Sequence, residues 1–180
     1  MFENLLYWVI MFVLLAFPFF YLRAVKNFSW QKTIADLLPK PQNWKKELLG
    51  TAKLLALLLL VYVVVFAILT IVGLNDLDKV QSALTEQIKS GWPVLVLTFI
   101  VVLFIEELFF RAFLVKRIGV IPSTIVFAAA HFGYGSIAEI IGVLALGLVL
   151  SYWYKKNNSL TQNYLAHLFY DLIALALYLL

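Results

Sequence analysis

Cysteine is absent from all 180 residues. That excludes disulfides and any zinc or iron–sulfur site built on thiolates. Charge is scarce too, with only 13% Asp, Glu, Lys and Arg, where globular domains average about 25%. A soluble domain of this length needs a polar surface, and these residues cannot supply one. What is present is apolar: 64% hydrophobic residues, with a mean hydropathy of +0.96. The length fits one integral membrane domain, residues 1–180. The net charge of +4 implies no nucleic-acid partner, because basic residues flanking membrane spans serve the positive-inside rule.

A bilayer core about 30 Å thick takes roughly 20 apolar residues in a helix. Phe2 to Leu22 is the first such run, with Pro18 predicting a kink near its end. It carries Glu3 where a signal peptide has a basic region, and no small-x-small cleavage site follows, so it reads as a retained helix. Arg23 to Lys46 reads as an interfacial loop with one amphipathic turn. Leu48 to Leu74 is the second span, Asn75 to Gly91 a polar loop, and Trp92 to Val115 a third span. Gly119 to His131 is apolar but too short to cross alone. The glycines of His131-Phe-Gly-Tyr-Gly-Ser break it at membrane depth, where irregular backbone must be buried in protein or line a wet cavity. Ile137 to Tyr154 and Leu160 to Leu180 are the last spans, joined by a turn at Lys155-Lys-Asn-Asn. The expectation is an all-α, polytopic transmembrane bundle of about six helical segments, one broken near mid-membrane. Trp8, Trp30, Trp44, Trp92 and Trp153 fit interface belts.

Basic residues fix an orientation. Arg23, Lys26, Lys32, Lys40, Lys45, Lys46, Lys53, Lys116, Arg117, Lys155 and Lys156 fall on one side, and only Lys79 and Lys89 on the other. The first set is assigned to the cytoplasm of a cell membrane. A cavity among the helices is expected to open toward that side.

Ionisable groups inside a span are costly, so they usually face the bundle interior and mark function. Glu106 lies ten residues before Lys116, His131 twelve after Gly119, and His167 nine after Asn158. At ~1.5 Å per residue these depths are about 15, 18 and 14 Å from one membrane edge, and Asp171 is a turn deeper. Groups from three helices thus share a layer near the midplane. Glu107 and Arg111 are four apart and can pair, holding Glu107 ionised. Glu106, rotated about 100° away, stays available as a base for water. His167 and Asp171 are again four apart, so Asp171 can orient the imidazole, and Phe127 packs one turn below His131. Each residue also has a plainer reading. Glu107 and Arg111 fit a structural ion pair, His131 a helix-terminal hydrogen bond, and His167 with Asp171 helix glue. Glu139 reads as interfacial.

Three motifs carry a family resemblance. Glu106-Glu-Leu-Phe-Phe-Arg111, Phe127-Ala-Ala-Ala-His131 and His167-Leu-Phe-Tyr-Asp171 resemble the Glu-Glu-x-x-Phe-Arg, Phe-x-x-x-His and His-x-x-x-Asn/Asp motifs of the CPBP intramembrane proteases. That family includes the type II CAAX prenyl endopeptidases and the abortive-infection and bacteriocin-immunity proteins. The resemblance covers residues 92–180. It implies that Glu106 activates water with help from His131, that Glu107 supports Glu106 and pairs with Arg111, and that His167 and Asp171 stabilise the oxyanion. Eukaryotic CAAX proteases carry Asn where this chain has Asp171. Asn donates and an ionised Asp does not, so Asp171 is either protonated or acts by keeping His167 in place. The short chain points to a prokaryotic branch.

The expected function is a metal-independent glutamic endopeptidase acting on a membrane-associated, CAAX-like peptide or protein substrate, with no cofactor. Two Glu and two His could ligate zinc, but no Glu-x-x-His or His-Glu-x-x-His pattern is present. The alternative is a non-enzymatic bacteriocin self-immunity or scaffold protein that retains the site. A proton-coupled transporter would show paired broken helices or repeats, and the sequence shows one break and no repeat.

Overall fold

A computed structural model describes residues 2–41, 43–74, 76, 78–89 and 91–179. Asn75, placed in the polar loop, and Leu180, placed at the end of the last span, lie outside these residues, as do the side chains of Glu3 and Trp92. The described residues contain helices and no strand, so the all-α expectation is met. Helix α1, Phe2–Phe20, runs into a π-helical turn at Tyr21–Val25. Pro18 sits inside α1, and the departure from α-geometry follows in that turn. Next come α2, Trp30–Leu37, α3, Trp44–Ile71, and α4, Asp78–Lys89. Helix α5, Trp92–Glu106, passes into a π-helical segment, Glu107–Val115, and the short α6, Lys116–Ile118. The chain then forms α7, Val120–Ala129, a 3-10 turn at Phe132–Tyr134, α8, Ile137–Asn157, and α9, Leu160–Leu179.

Among the described residues, three helices are long and apolar enough to cross a bilayer by length and composition: Leu5–Val25, Trp44–Ile71 and Ile137–Asn157. Their outward faces stay bare. Phe12 is 69% exposed, Val63 60% and Ile71 84%. In water that surface would be unstable; in lipid it is solvated. Trp8, Trp30 and Trp44 are exposed as a belt requires, whereas the indole of Trp153 turns inward and donates to Gln162 Oε1 at 2.8 Å.

Three sequence expectations need correction. The stretch 23–46 holds a two-turn helix, α2, not a single amphipathic turn. Ser29 caps it by accepting from Lys32 N at 3.2 Å, and Thr33 and Leu37, four apart, are fully buried. The stretch 75–91 is helical as α4, because Val80, Leu84 and Ile88 recur every fourth residue and form an inward stripe. The basic turn after Tyr154 is shorter than expected: α8 continues through Lys155, Lys156 and Asn157, where the lysines suit the helix C-terminus. Asn158 then reverses the chain at φ 47. The predicted break after α7 is present, and Gly135 supplies its left-handed conformation at φ 68.

The two ends of the bundle differ. At one end Lys116 and Arg117 reach Asp36, and Ser159 Oγ donates to Glu47. Leu22, Leu37 and Phe113 pack beneath them, beside Ala112, Val115, Tyr154 and Leu160. The basic loops therefore gather over a tightly filled layer. At the other end Asp76 accepts from Ser136 Oγ at 2.7 Å, Ile137 N at 2.9 Å and Ala138 N at 3.0 Å. Lys79 Nζ donates to Gly135 O at 2.8 Å, and Thr85 shares a 2.6 Å hydrogen bond with Tyr178. These bonds fasten α4 across the start of α8 and the end of α9.

The bonds from Ile137 N, Ala138 N and Ser136 hold the Asp76 carboxyl well below the usual carboxylate range. A folded-state value below the unfolded one adds stability above about pH 4, and this is lost as pH falls through that value. Asp76→Ala is therefore expected to speed amide exchange across α4 at neutral pH. In the wild type the same acceleration, corrected for intrinsic rates, is expected only on acidification. Unchanged exchange in Asp76→Ala would show that α4 is held by other contacts.

Candidate intramembrane site

The π-helical segment positions the first motif. A π-turn bonds i to i+5, so its carbonyls miss their α-helical partners, and such turns gather at functional sites. Here Ser123 Oγ of α7 donates to the Phe110 carbonyl at 2.6 Å, which ties α7 to the widened turn. Glu106 ends α5 and lines a cavity of about 730 Å³. Its neighbour Glu107 turns away from that cavity and is fully buried.

Glu107 is the hub behind the cavity. Arg111 Nη1 lies 3.6 Å from Glu107 Oε1, with both side chains completely inaccessible. The guanidinium carbon also stands 4.0 Å over the ring of Phe127, a desolvated cation–π contact. His167 Nδ1 lies 2.9 Å from the same Glu107 oxygen. A carboxylate accepts, so Nδ1–H donates and Nε2 is left directed toward Asp171. That pair is 3.9 Å apart, Nε2 to Oδ1. The sequence expected Asp171 to orient His167; the hydrogen bond that does so comes from Glu107. Asn163, one turn before His167, is also fully buried and donates to Leu150 O at 2.9 Å. Sequence reading missed Asn163, although its four-residue spacing from His167 was a usable signal.

His131 stands at the end of α7 with Nδ1 2.9 Å from the Phe127 carbonyl. A carbonyl only accepts, so Nδ1 carries a proton and donates it. The helix-terminal hydrogen bond and a place in the cavity wall are thus compatible. Phe127 packs under His131 as expected, with centroids 4.7 Å apart and an edge-on tilt. It also meets Phe110 at 5.0 Å and His167 at 6.4 Å.

One cavity is lined by Glu106, His131, His167 and Asp171, together with Phe127 and apolar residues of α1, α3, α4, α8 and α9. The shared depth read from the sequence corresponds to shared space. Glu139, read as interfacial, lines the same cavity and is half-buried. The cavity extends to the end of the bundle where Glu139 lies. The same extension overturns the expectation of an opening at the basic end. Wall residues such as Leu69, Leu84, Ala138 and Tyr178 belong to the opposite end, while the basic end is filled by Leu22, Leu37, Phe113 and Tyr154. Among the described residues, no three His, Asp or Glu side chains are grouped as metal ligands.

Residues 88–173 match the family model described as Type II CAAX prenyl endopeptidase Rce1-like. These residues carry an Rce1-like domain. The likeness to the CPBP proteases read from the three motifs is thereby borne out, and all eight motif residues from Glu106 to Asp171 fall inside the matched stretch. The family is one of CAAX-type membrane proteases, so peptide hydrolysis and a membrane setting both follow at that level. No curated protein matches the chain, and no solved structure does. Helices α1 to α3 precede the Rce1-like domain, and α1 and α3 supply one wall of its cavity through Tyr7, Met11, Leu58 and Tyr62.

The packing of the Rce1-like domain admits a direct test. Gly147 of α8 faces Phe127, and a Cβ there would stand 2.9 Å from Phe127 Cδ1. Alanine in a helix gains up to about 1 kcal/mol over glycine, and overpacking costs about 1–3 kcal/mol. The ring is boxed by Arg111, His131 and Phe110, so the clash outweighs the gain. Gly147→Ala is expected to lower the melting temperature in lipid or detergent. Gly142→Ala meets nothing within 4 Å and is expected to hold or raise it. Equal behaviour of the two variants would show that Phe127 is free to move.

Proposed function

We propose that the chain is a metal-independent glutamic endopeptidase that hydrolyses a peptide bond of a membrane-associated substrate, with Glu106 as the base. The observation carrying this reading is the division between two adjacent glutamates. Glu106 lines the cavity, while Glu107 is buried behind it against Arg111 and His167. One carboxylate is available to a reactant and the other is spent on positioning.

In this mechanism Glu106 takes a proton from water as the oxygen attacks the substrate carbonyl. The carbonyl oxygen becomes an oxyanion beside His167, whose Nε2–H donates to it. A ring with a carboxylate at each nitrogen can hold a proton on both, which this role requires. His131, in the wall of the same cavity, helps to position the water. The tetrahedral intermediate collapses as the C–N bond breaks, and the proton held by Glu106 passes to the leaving amine. The products are a carboxylic acid and an amine, which leave as carboxylate and ammonium, with one water consumed. Arg111 and Phe127 keep Glu107 and the two imidazoles in place. The basic loops are assigned to the cytoplasm of a prokaryotic cell membrane.

The test is cleavage of membrane-tethered peptides, including CAAX-like ones, by the wild type beside Glu106→Ala. Activity lost in the variant supports the reading. A wild type that binds such peptides and cleaves none would favour a non-enzymatic immunity or scaffold role.

A further inference from the structure

Lys53 breaks the rule that ionisable groups inside a span face the bundle. It lies in α3, two turns past Lys46 and about 10 Å deeper. Its side chain is nevertheless on the outer surface, and among the described residues it pairs with no acid. The acids of this end are engaged elsewhere. Asp36 holds Lys116 and Arg117, and Glu47 accepts from Ser159. The surroundings of Lys53 are built from three helices. Gly50 stands three residues before Lys53 and four after Lys46, so the three share one face of α3. The Gln162 amide of α9 fills the space over Gly50, where a Cβ would run into it. Trp153 of α8 donates to that amide, Nε1 to Oε1, at 2.8 Å. Lys156 follows three residues after Trp153, on the same face and exposed. Helical side chains lean toward the N-terminus of their own helix. Lys53 therefore leans back toward Gly50, and Lys156 back toward Trp153. With Lys46, three ammonium groups border the junction of Gly50, Gln162 and Trp153. Beyond Lys53 the same face of α3 continues as Leu57, Leu60 and Val64, all exposed.

We infer that this junction binds an anionic phospholipid of the surrounding bilayer. The phosphate sits among Lys46, Lys53 and Lys156, and an acyl chain lies along Leu57, Leu60 and Val64. A lysine stem covers apolar surface while its head reaches the headgroup level, so Lys53 meets an anion instead of standing alone in hydrocarbon. A soluble anion would use the ammonium groups but leave the apolar stripe below them without a role. The bond from Trp153 to Gln162 and the close approach at Gly50 hold α3, α8 and α9 together, which fixes the spacing of the lysines before the lipid arrives. None of these residues lines the cavity, and the site needs no turnover.

The experiment places the full chain in nanodiscs of phosphatidylcholine and titrates in phosphatidylglycerol. A ligand of the folded state raises the melting temperature as its fraction grows. A lysine near the membrane surface contributes about fivefold in affinity for anionic lipid, so Lys53→Gln is expected to move half-saturation by about that factor. Lys46→Gln, Lys53→Gln and Lys156→Gln combined remove about a hundredfold and are expected to abolish the rise. Lys46→Arg, Lys53→Arg and Lys156→Arg combined keep the charge and are expected to keep it, which separates lost binding from a damaged fold. Lys26→Gln, Lys32→Gln and Lys40→Gln combined remove the same charge without touching α3, α8 or α9, and are expected to leave the rise in place. Equal loss in the two glutamine triples would show diffuse attraction and overturn the site. A full rise in the Lys46, Lys53 and Lys156 glutamine triple would overturn it as well. Inorganic phosphate at the same anion concentration is expected to have no effect in pure phosphatidylcholine. A rise matching that of the lipid would assign the lysines to a soluble anion and overturn the lipid reading.

Discussion

Glu106→Gln is expected to bring cleavage of a membrane-tethered peptide to background while the peptide still binds. Glutamine keeps the size and polarity of the side chain and removes its capacity to accept a proton from water. General-base assistance is worth on the order of 10²–10⁴ in rate, so kcat should fall by at least the lower figure with KM little changed. Position separates this variant from its neighbour. Glu106 lines the cavity, so its loss acts on the reacting water. Glu107 touches Arg111 and His167 and no cavity, so Glu107→Gln should act through a misplaced imidazole and a less stable fold. Glu106→Gln should therefore melt close to the wild type and Glu107→Gln well below it. A chelator should leave the wild type unchanged. Activity lost on chelation and restored by zinc would refute the metal-free mechanism and make these side chains ligands.

Helical counting alone brought Glu106, His131, His167 and Asp171 to one depth, because rise per residue is nearly constant in a helix. The pairing of Glu107 with Arg111 was legible for the same reason, since four residues return to one face. The bond from His167 to Glu107 was not. It joins residues 60 apart in the chain, and no local period reports which face of α9 meets which face of the π-helical segment. Glu139 shows a different limit. Its depth was read correctly as near the end of its span, but its role depends on where the cavity runs. That depends on side-chain volumes at Leu22, Phe113 and Tyr154, which fill one end, against α4, which leaves space beneath it at the other. Helix α4 was hidden by its polar composition, although the spacing of Val80, Leu84 and Ile88 was present in the sequence.

His167→Ala should cost about 10²–10³ in kcat, the usual size of losing one oxyanion donor. It also removes the hydrogen bond to Glu107, a group with no exposure, and an unsatisfied buried acceptor costs about 1–3 kcal/mol of stability. Arg111 still faces Glu107 in that variant, so the loss of stability should stay within that range while kcat falls by the full factor. Asp171→Asn then asks what Asp171 contributes. At 3.9 Å its oxygen is beyond hydrogen-bond reach of His167 Nε2, so it acts on the ring through its charge. Unit charges at about 4 Å interact by about 1–4 kcal/mol between watery and protein-like surroundings. Losing the lower part of that range corresponds to a rate near tenfold slower. Asp171→Asn is therefore expected to slow turnover about tenfold while binding persists. Full activity in Asp171→Asn would show instead that Asp171 works as a protonated donor to the oxyanion, a task that Asn performs equally well.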